Sequence, residues 1–308
     1  MQSRVLRIGT RGSPLALAQA GMVLAQLAAA HGLAAEAFEL KVIRTSGDAI
    51  QDRPLSEVGG KGLFTKEIEE ALIAGGIDLA VHSAKDLPTV LPAGLAIVAV
   101  LPREDPRDVF ISRKAKTLRA LAQGAIVGTA SLRRQALVKR LRPDLKVVTF
   151  RGNVETRLRK LDEGVVDATL LALAGLRRLG LAEAATAILD TNEFLPAVGQ
   201  GIVAIEAKAG DARTRAVLDR INSADDAIAL AAERAFLTVL DGSCRTPIAG
   251  HAKIAGGRVS FRGLIAKPDG SEVFETTREG AIGEASALGH AAGRELKERA
   301  GADFFALA

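Results

Sequence analysis

Short apolar runs rich in β-branched residues alternate along most of this chain with stretches of helical length. That rhythm is the strongest constraint on what it can fold into. Candidate strands are 5–10, 39–45, 77–83, 95–101, 108–113, 125–130, 146–150, 166–172 and 202–207. Candidate helices fall at 14–30, 65–74, 131–142, 153–163, 174–181, 211–222 and 225–240. Such alternation predicts α/β layers with largely parallel sheets. A faint internal repeat sets 8-IGTRGSPLALAQA-20 against 127-VGTASLRRQALV-138. Each copy runs from a strand into Gly-Thr and then a serine that can cap the next helix, with Pro14 at the first helical position of the first copy. Two lobes of similar design follow from it. After about residue 223 the texture changes to a long helix and then alternating segments with turn signals at Gly256-Gly257 and Asp269-Gly270, closed by a helix over 283–300. This part reads as a small α+β domain.

Charge narrows the ligand. The formal net charge is +5, which favours an anionic partner. The absence of Trp and Tyr removes most of the stacking surface that single-strand nucleic-acid binders use. Many arginines sit instead at strand–helix junctions, as a small polyanion held in a cleft requires. One cysteine excludes an internal disulfide and a multi-cysteine zinc site. His31, His82, His251 and His290 show no metal-binding spacing, so no metal is expected. The first residues lack a long apolar h-region, and no uninterrupted apolar run reaches the ~18 residues of a membrane span. A cytoplasmic protein without membrane or nucleic-acid partners is the expectation.

Four segments could carry chemistry. In 81-VHSAKDLP-88 a strand ends in His82, Ser83, Lys85 and Asp86, at the edge where α/β sheets hold ligands. A carboxylate there can stabilise a developing cation. In 129-TASLRRQ-135, Thr129 and Ser131 lie at a helix N-terminus with Arg133 and Arg134 in its first turn. Helices prefer acids at that position, so the conflict marks a functional place. Arg151, Gly152 and Asn153 repeat the device, Arg157 lies one turn further on, and Arg11 does the same in the first lobe. A single such arginine is ordinarily a solvated charge; five at strand ends or first helical turns are better read as a carboxylate or phosphate receptor. The glycines around Lys61 in 56-SEVGGKGLFTKE-67 do not have Walker A spacing and read as a mobile lid. In 195-LPAVGQG-201, Gln200 sits on a crossover between lobes.

The one thiol, Cys244, stands in 240-LDGSCRTP-247, a turn rather than an apolar run. A lone cysteine is often incidental; on its residues alone this one is either a nucleophile or an anchor.

Taken together, VHSAKDLP, REDPRD, GTASLRRQ, RGNVETRL, AGLRRLGL, LPAVGQG, AERAFL and LDGSCRTP resemble the porphobilinogen deaminase family, in the family's order over most of the chain. The resemblance implies two periplasmic-binding-protein-like α/β lobes plus a small C-terminal α+β domain. The expected division is 1–101 with 200–222, 102–199, and 223–308. It implies a dipyrromethane primer joined by a thioether to Cys244, onto which four porphobilinogen units condense with loss of ammonia before hydrolysis releases hydroxymethylbilane. Asp86 would be catalytic. Cys244, Lys85, Asp86, Ser13, Thr129, Ser131, Arg133, Arg134 and Arg157 would hold the cofactor. Arg11, Arg151, Arg157, Arg178 and Gln200 would bind substrate, and Gly60, Lys61 and Phe64 would belong to the lid. A monomer is expected. The chain departs from many relatives at Ser243, at Ala130 and at Glu57. Two rivals remain: a two-lobed protein that binds an organic anion without turnover, which needs neither Cys244 nor Asp86, and a nucleic-acid binder, suggested by charge alone.

Overall fold

The computed structural model describes residues 5–49, 62–240, 247–301 and 304. Two compact units emerge from it. The first comprises 5–49, 62–104 and 201–227; the second comprises 105–200, 228–240, 247–301 and 304.

The first unit is built on strands β1 (Leu6–Thr10), β2 (Phe38–Val42), β3 (Leu79–Ser83), β4 (Leu95–Val100) and, from much later in the chain, β10 (Val203–Lys208). They form one five-stranded sheet in the order β2-β1-β3-β10-β4. Helices α1 (Pro14–His31), α2 (Lys66–Ile73) and α6 (Ala212–Leu218) cover it. Helix α1 has the length and hydropathy of a membrane span. Here its Ala20, Val23 and Leu27 pack with Leu6, Ile8, Leu79, Val81 and Ile205 in the unit's main core. The opposite face carries a smaller cluster in which Ile68 and Leu72 of α2 meet Ile77, Ala80 and Leu95.

The second unit holds β5 (Asp108–Ser112), β6 (Ile126–Gly128), β7 (Lys146–Val148), β8 (Ala168–Ala172) and β9 (Ala187–Ile188), in the order β7-β6-β8-β5-β9. Helices α3 (Leu132–Leu141), α4 (Val154–Asp162) and α5 (Leu173–Arg178) belong to it. So do α7 (Ala224–Val239) for most of its length, the antiparallel sheet β11 (Ile248–Ala255), β12 (Arg258–Ala266) and β13 (Val273–Ala281), and α8 (Ala285–Ala300). Phe236 of α7 packs on Phe261 of β12, with ring centroids 5.1 Å apart, and Ala292 and Leu296 of α8 join the same core. Ala249, Leu264 and Ala266 of the three-stranded sheet share a second core with Phe110, Val127 and Leu137.

The two five-stranded sheets have matching strand orders, with β1, β2, β3, β10 and β4 corresponding to β6, β7, β8, β5 and β9. The faint repeat therefore falls on equivalent strands. Its Gly-Thr pairs have a packing cause. A Cβ on Gly9 would lie 2.3 Å from Ile77 Cδ1, and one on Gly128 2.6 Å from Phe150 Cγ. Thr10 and Thr129 follow as buried hydroxyls.

The expectation of largely parallel sheets is corrected. β1 pairs in parallel with β2 and β3, whereas β10 runs antiparallel to β3 and β4. The second sheet repeats the mixture, with β6 parallel to β7 and β8, and β5 antiparallel to β8 and β9. Hydrophobic periodicity records that a strand is buried and says nothing of its direction.

Candidate active site

In the first unit the C-terminal ends of β1, β2 and β3 share one edge of the sheet, where α/β layers ordinarily hold ligands. Thr10, wholly buried, donates its hydroxyl to the Ala16 carbonyl at 3.2 Å. Ser13 caps α1 by accepting from the Ala16 N–H at 3.3 Å, with Pro14 directly behind it. The positive end of an 18-residue helix thus opens at this edge. β3 leads into a short 3₁₀ turn, Ala84–Asp86, that leaves Lys85 and Asp86 exposed. Gln19 of α1 donates to the Ser83 hydroxyl at 2.9 Å and fixes the helix against the end of β3. The Arg11 guanidinium lies 4.2 Å from the centroid of Phe64, a cation–π contact. Arg11, Ser13, Phe64, His82, Ser83 and Asp86 line an open cleft with about 380 Å³ of empty space. Lys85 stands on the same turn but is not part of the cleft's lining. Gly60, Lys61 and Cys244 lie outside the described residues, as do Glu57 and Ser243.

The second unit repeats the edge. β6 and β7 run in parallel with Gly128 opposite Val148, so the Thr129–Arg134 and Arg151–Arg157 junctions emerge side by side. Ser131 caps α3, and Asn153 caps α4 by accepting from the Thr156 N–H at 2.8 Å. Arg157 donates to the Gly152 carbonyl at 2.8 Å. Arg178 closes α5.

The paired arginines of α3 do not present free forks, as the sequence had suggested. Arg133 and Arg134 are 5% and 6% exposed and converge on Asp108, which is fully buried at the start of β5. Arg134 donates from Nε and Nη2 to Asp108 Oδ1 at 3.0 and 2.8 Å, and from Nη1 to the Leu170 carbonyl at 2.9 Å. Arg133 reaches Asp108 Oδ2 at 2.7 Å and the Leu195 carbonyl at 2.7 Å. Gln200, 1% exposed, donates to Asp108 Oδ1 at 3.1 Å and to the Pro106 carbonyl at 2.7 Å. The acid missing from the first turn of α3 is thus supplied by another strand. Burial pulls the Arg133 guanidinium below the usual arginine range, Arg134 beside it adds to that, and Asp108 opposes it. Two guanidinium groups meet one carboxylate, so the cluster keeps one surplus positive charge that an anionic ligand can neutralise.

Sequence reasoning passed over Asp108, and also Glu69 and Glu206, which are buried under α2 beside His82. For Asp108 and Glu206 the signal was present: a carboxylate opening or inside a run of apolar residues, as in 203-VAIEA-207; Glu69, among other charges in 66-KEIEEALI-73, gave none.

The family description "Porphobilinogen deaminase, dipyromethane cofactor binding domain" matches residues 6–216, and "Porphobilinogen deaminase, C-terminal domain" matches residues 227–298. Similar proteins named porphobilinogen deaminase occur in Nitrobacter hamburgensis and Nitrobacter winogradskyi. Each is 65% identical over 300 residues, covering 97% of this chain and 95% of the relative. Among solved structures, the periplasmic VFT2 domain of Bordetella pertussis BvgS is similar at 17% identity and TM-score 0.43, over 75% of this chain and 92% of that one. The periplasmic aliphatic sulphonate binding protein SsuA from Escherichia coli is similar at 17% identity and TM-score 0.42, over 79% and 72%. With two family descriptions spanning its lobes and C-terminal domain, and relatives this near over almost its whole length, the chain belongs to the porphobilinogen deaminase family.

Proposed function

We propose that the cleft of the first unit and the arginine junctions of the second hold the polyanionic chain that this family builds, with Cys244 as its point of attachment. The enzyme is a hydroxymethylbilane synthase: it condenses four porphobilinogen units head to tail, with loss of ammonia, onto a dipyrromethane primer, and hydrolysis releases the product. The observation that carries the site assignment is the cleft where Arg11, Ser13 and Asp86 meet at one strand edge.

The residues fit the group. Each pyrrole unit bears two carboxylates and a ring N–H. The cleft offers a guanidinium and a hydroxyl for the first and a carboxylate for the second. In the second unit, the surplus charge of the Asp108 cluster suits an anion. Thr129, Ser131, Arg151, Arg157 and Arg178 are the proposed carboxylate binders, and Arg133, its nitrogens held by Asp108 and the Leu195 carbonyl, contributes its charge from behind them. Arg134 and Gln200, their nitrogens turned inward, act on the ligand by fixing Asp108 and Arg133. Lys85 binds from outside the cleft's lining. When bound, the dipyrromethane supplies the pyrrole carbon to which new units are added. Asp86 accepts pyrrole N–H groups and stabilises the positive charge that develops on the substrate as its amine departs. Arg11 orients a substrate carboxylate, and Phe64, stacked on it, screens the cleft from water.

We further propose a three-part division at 1–101 with 200–222, 102–199 and 223–308, and a cytoplasmic monomer whose partner is porphobilinogen rather than nucleic acid or a membrane. The bacterial relatives and the burial of α1's apolar face support the last point.

The test is the denatured intact mass of the purified protein with peptide mapping around residue 244. An added mass of two linked pyrrole units on Cys244, absent from Cys244→Ala, is the expected result. A chain that stays unmodified after incubation with porphobilinogen, and makes no bilane, overturns the assignment.

A further inference from the structure

The face of the first sheet beneath α2 is apolar at Ile68, Leu72, Ile77, Ala80 and Leu95. Three titratable side chains are nevertheless buried there: Glu69 of α2, His82 of β3 and Glu206 of β10. His82 Nε2 lies 3.2 Å from Glu206 Oε2, with the two side chains 3% and 0% exposed. Among the described residues no backbone N–H hydrogen-bonds either Glu206 oxygen. Placing a carboxylate in this position is costly unless an opposite charge or a proton donor meets it, and the imidazole is the group placed to do so. His82 also lines the cleft that holds Asp86 and Arg11. With Nε2 turned to Glu206, Nδ1 is the ring nitrogen that remains.

We propose that His82 is a further catalytic residue, the base that removes the proton from the pyrrole carbon in each condensation, and that Glu206 is the positioning residue that fixes its tautomer. The inference rests on the reading of the cleft given above. The step balances. The substrate's C–N bond breaks and its electron pair leaves with ammonia. The pyrrole carbon forms the new C–C bond and gives its proton to His82 Nδ1. The imidazolium, paired with Glu206, then releases that proton, and ammonia leaves as ammonium. The arrangement follows the logic of a buried acid that orients a histidine and stabilises the imidazolium. The pair is not yet aligned as a hydrogen bond, as is common before substrate binds. Burial raises the carboxyl of Glu69 above its ordinary range, and Glu206 raises it further, against a hydrogen bond from Thr65 and the influence of His82. Among the described residues, Arg11 and Asp86 line the same cleft as His82; β4 contributes only apolar residues, and Arg7 of β1 is held by Asp78 at 2.8 Å.

The test uses the full-length enzyme and the variants Glu206→Leu and His82→Gln. An apolar residue at 206 matches the surrounding face, so folding is retained. The first readout is independent of turnover. The ¹⁵N spectrum of His82, assigned by its loss in His82→Gln, shows the proton on Nε2 in the wild type and a mixture of tautomers in Glu206→Leu. The second is kinetic. In both variants kcat for porphobilinogen falls about 100-fold, the usual scale for a lost general base, while KM is retained. Porphobilinogen deuterated at its free α-carbon then shows a primary isotope effect absent from the wild type. A mixed tautomer in the wild type, or an unchanged kcat in both variants beside an active wild type, overturns the proposal and leaves the function intact. A wild type that loads primer and makes no bilane overturns the function itself.

Discussion

Asp86 is exposed at a strand end, held on a 3₁₀ turn rather than buried with a counter-ion. A carboxylate so placed contributes little to stability, and in the role proposed for it acts on a charge that appears during reaction. Asp86→Asn is therefore expected to keep its thermal midpoint and to lose turnover by about 100-fold or more. Steady-state assays and thermal melts of the same preparation check this, and near-normal turnover removes Asp86 from the mechanism. This strand end stood out in the sequence because polar groups gather there before Pro88. The buried charges were not legible. Arg133 and Arg134 stood out as a violation of helix preference, yet their partner Asp108 lies 25 and 26 positions away, and nothing local names it. Glu206 looked like one polar residue in a strand; only pairing β10 with β3 sets it near His82.

The elements were read well where periodicity is long. α1, expected over 14–30, spans Pro14–His31 between a serine cap and a left-handed Gly32. Shorter pieces escaped, such as the two-residue β9, too brief to show alternation. Strand direction escaped as well, since β5 and β10 are as apolar as their parallel neighbours. Two features of the β6 edge carry expected outcomes. Gly128→Ala sets a methyl against the Phe150 ring and is expected to cost about 1–3 kcal/mol in urea melts. A variant as stable as the wild type contradicts the close approach. Asp167 accepts from the Ile126 N–H at 2.6 Å and pairs with Lys114, and these two contacts, the first the larger, hold its carboxyl below the usual range. Below an ordinary carboxyl value of about 3.9 the unfolded chain takes up the proton first, so this stabilisation fades as pH falls through the lowered folded value. Asp167→Asn is expected to lose about 1–2 kcal/mol at pH 7. Its deficit should shrink on the acid side of about pH 4. A deficit equal at pH 7 and pH 3 excludes the ionic origin.

At the scale of the whole molecule, the formal net charge is +5. A single species near 32.1 kDa, plus the primer, is expected from light scattering at any protein concentration. A stable mass of twice that value rejects the monomer. The strand order has a consequence for how the protein is made. β3 and β4 do not bond to each other; β10 lies between them, and it is encoded after the whole of 105–200. A ribosome adding about 5–20 residues per second needs roughly 5–20 s to cover that interval. Throughout it the nascent first unit carries an open slot one strand wide, with two unpaired edges. The second five-stranded sheet is complete as soon as β9 emerges, so the part of the enzyme translated in the middle finishes first. The last strand to enter seals the slot and brings Glu206 beneath α2, so the cleft acquires its buried acid only when the sheet is whole.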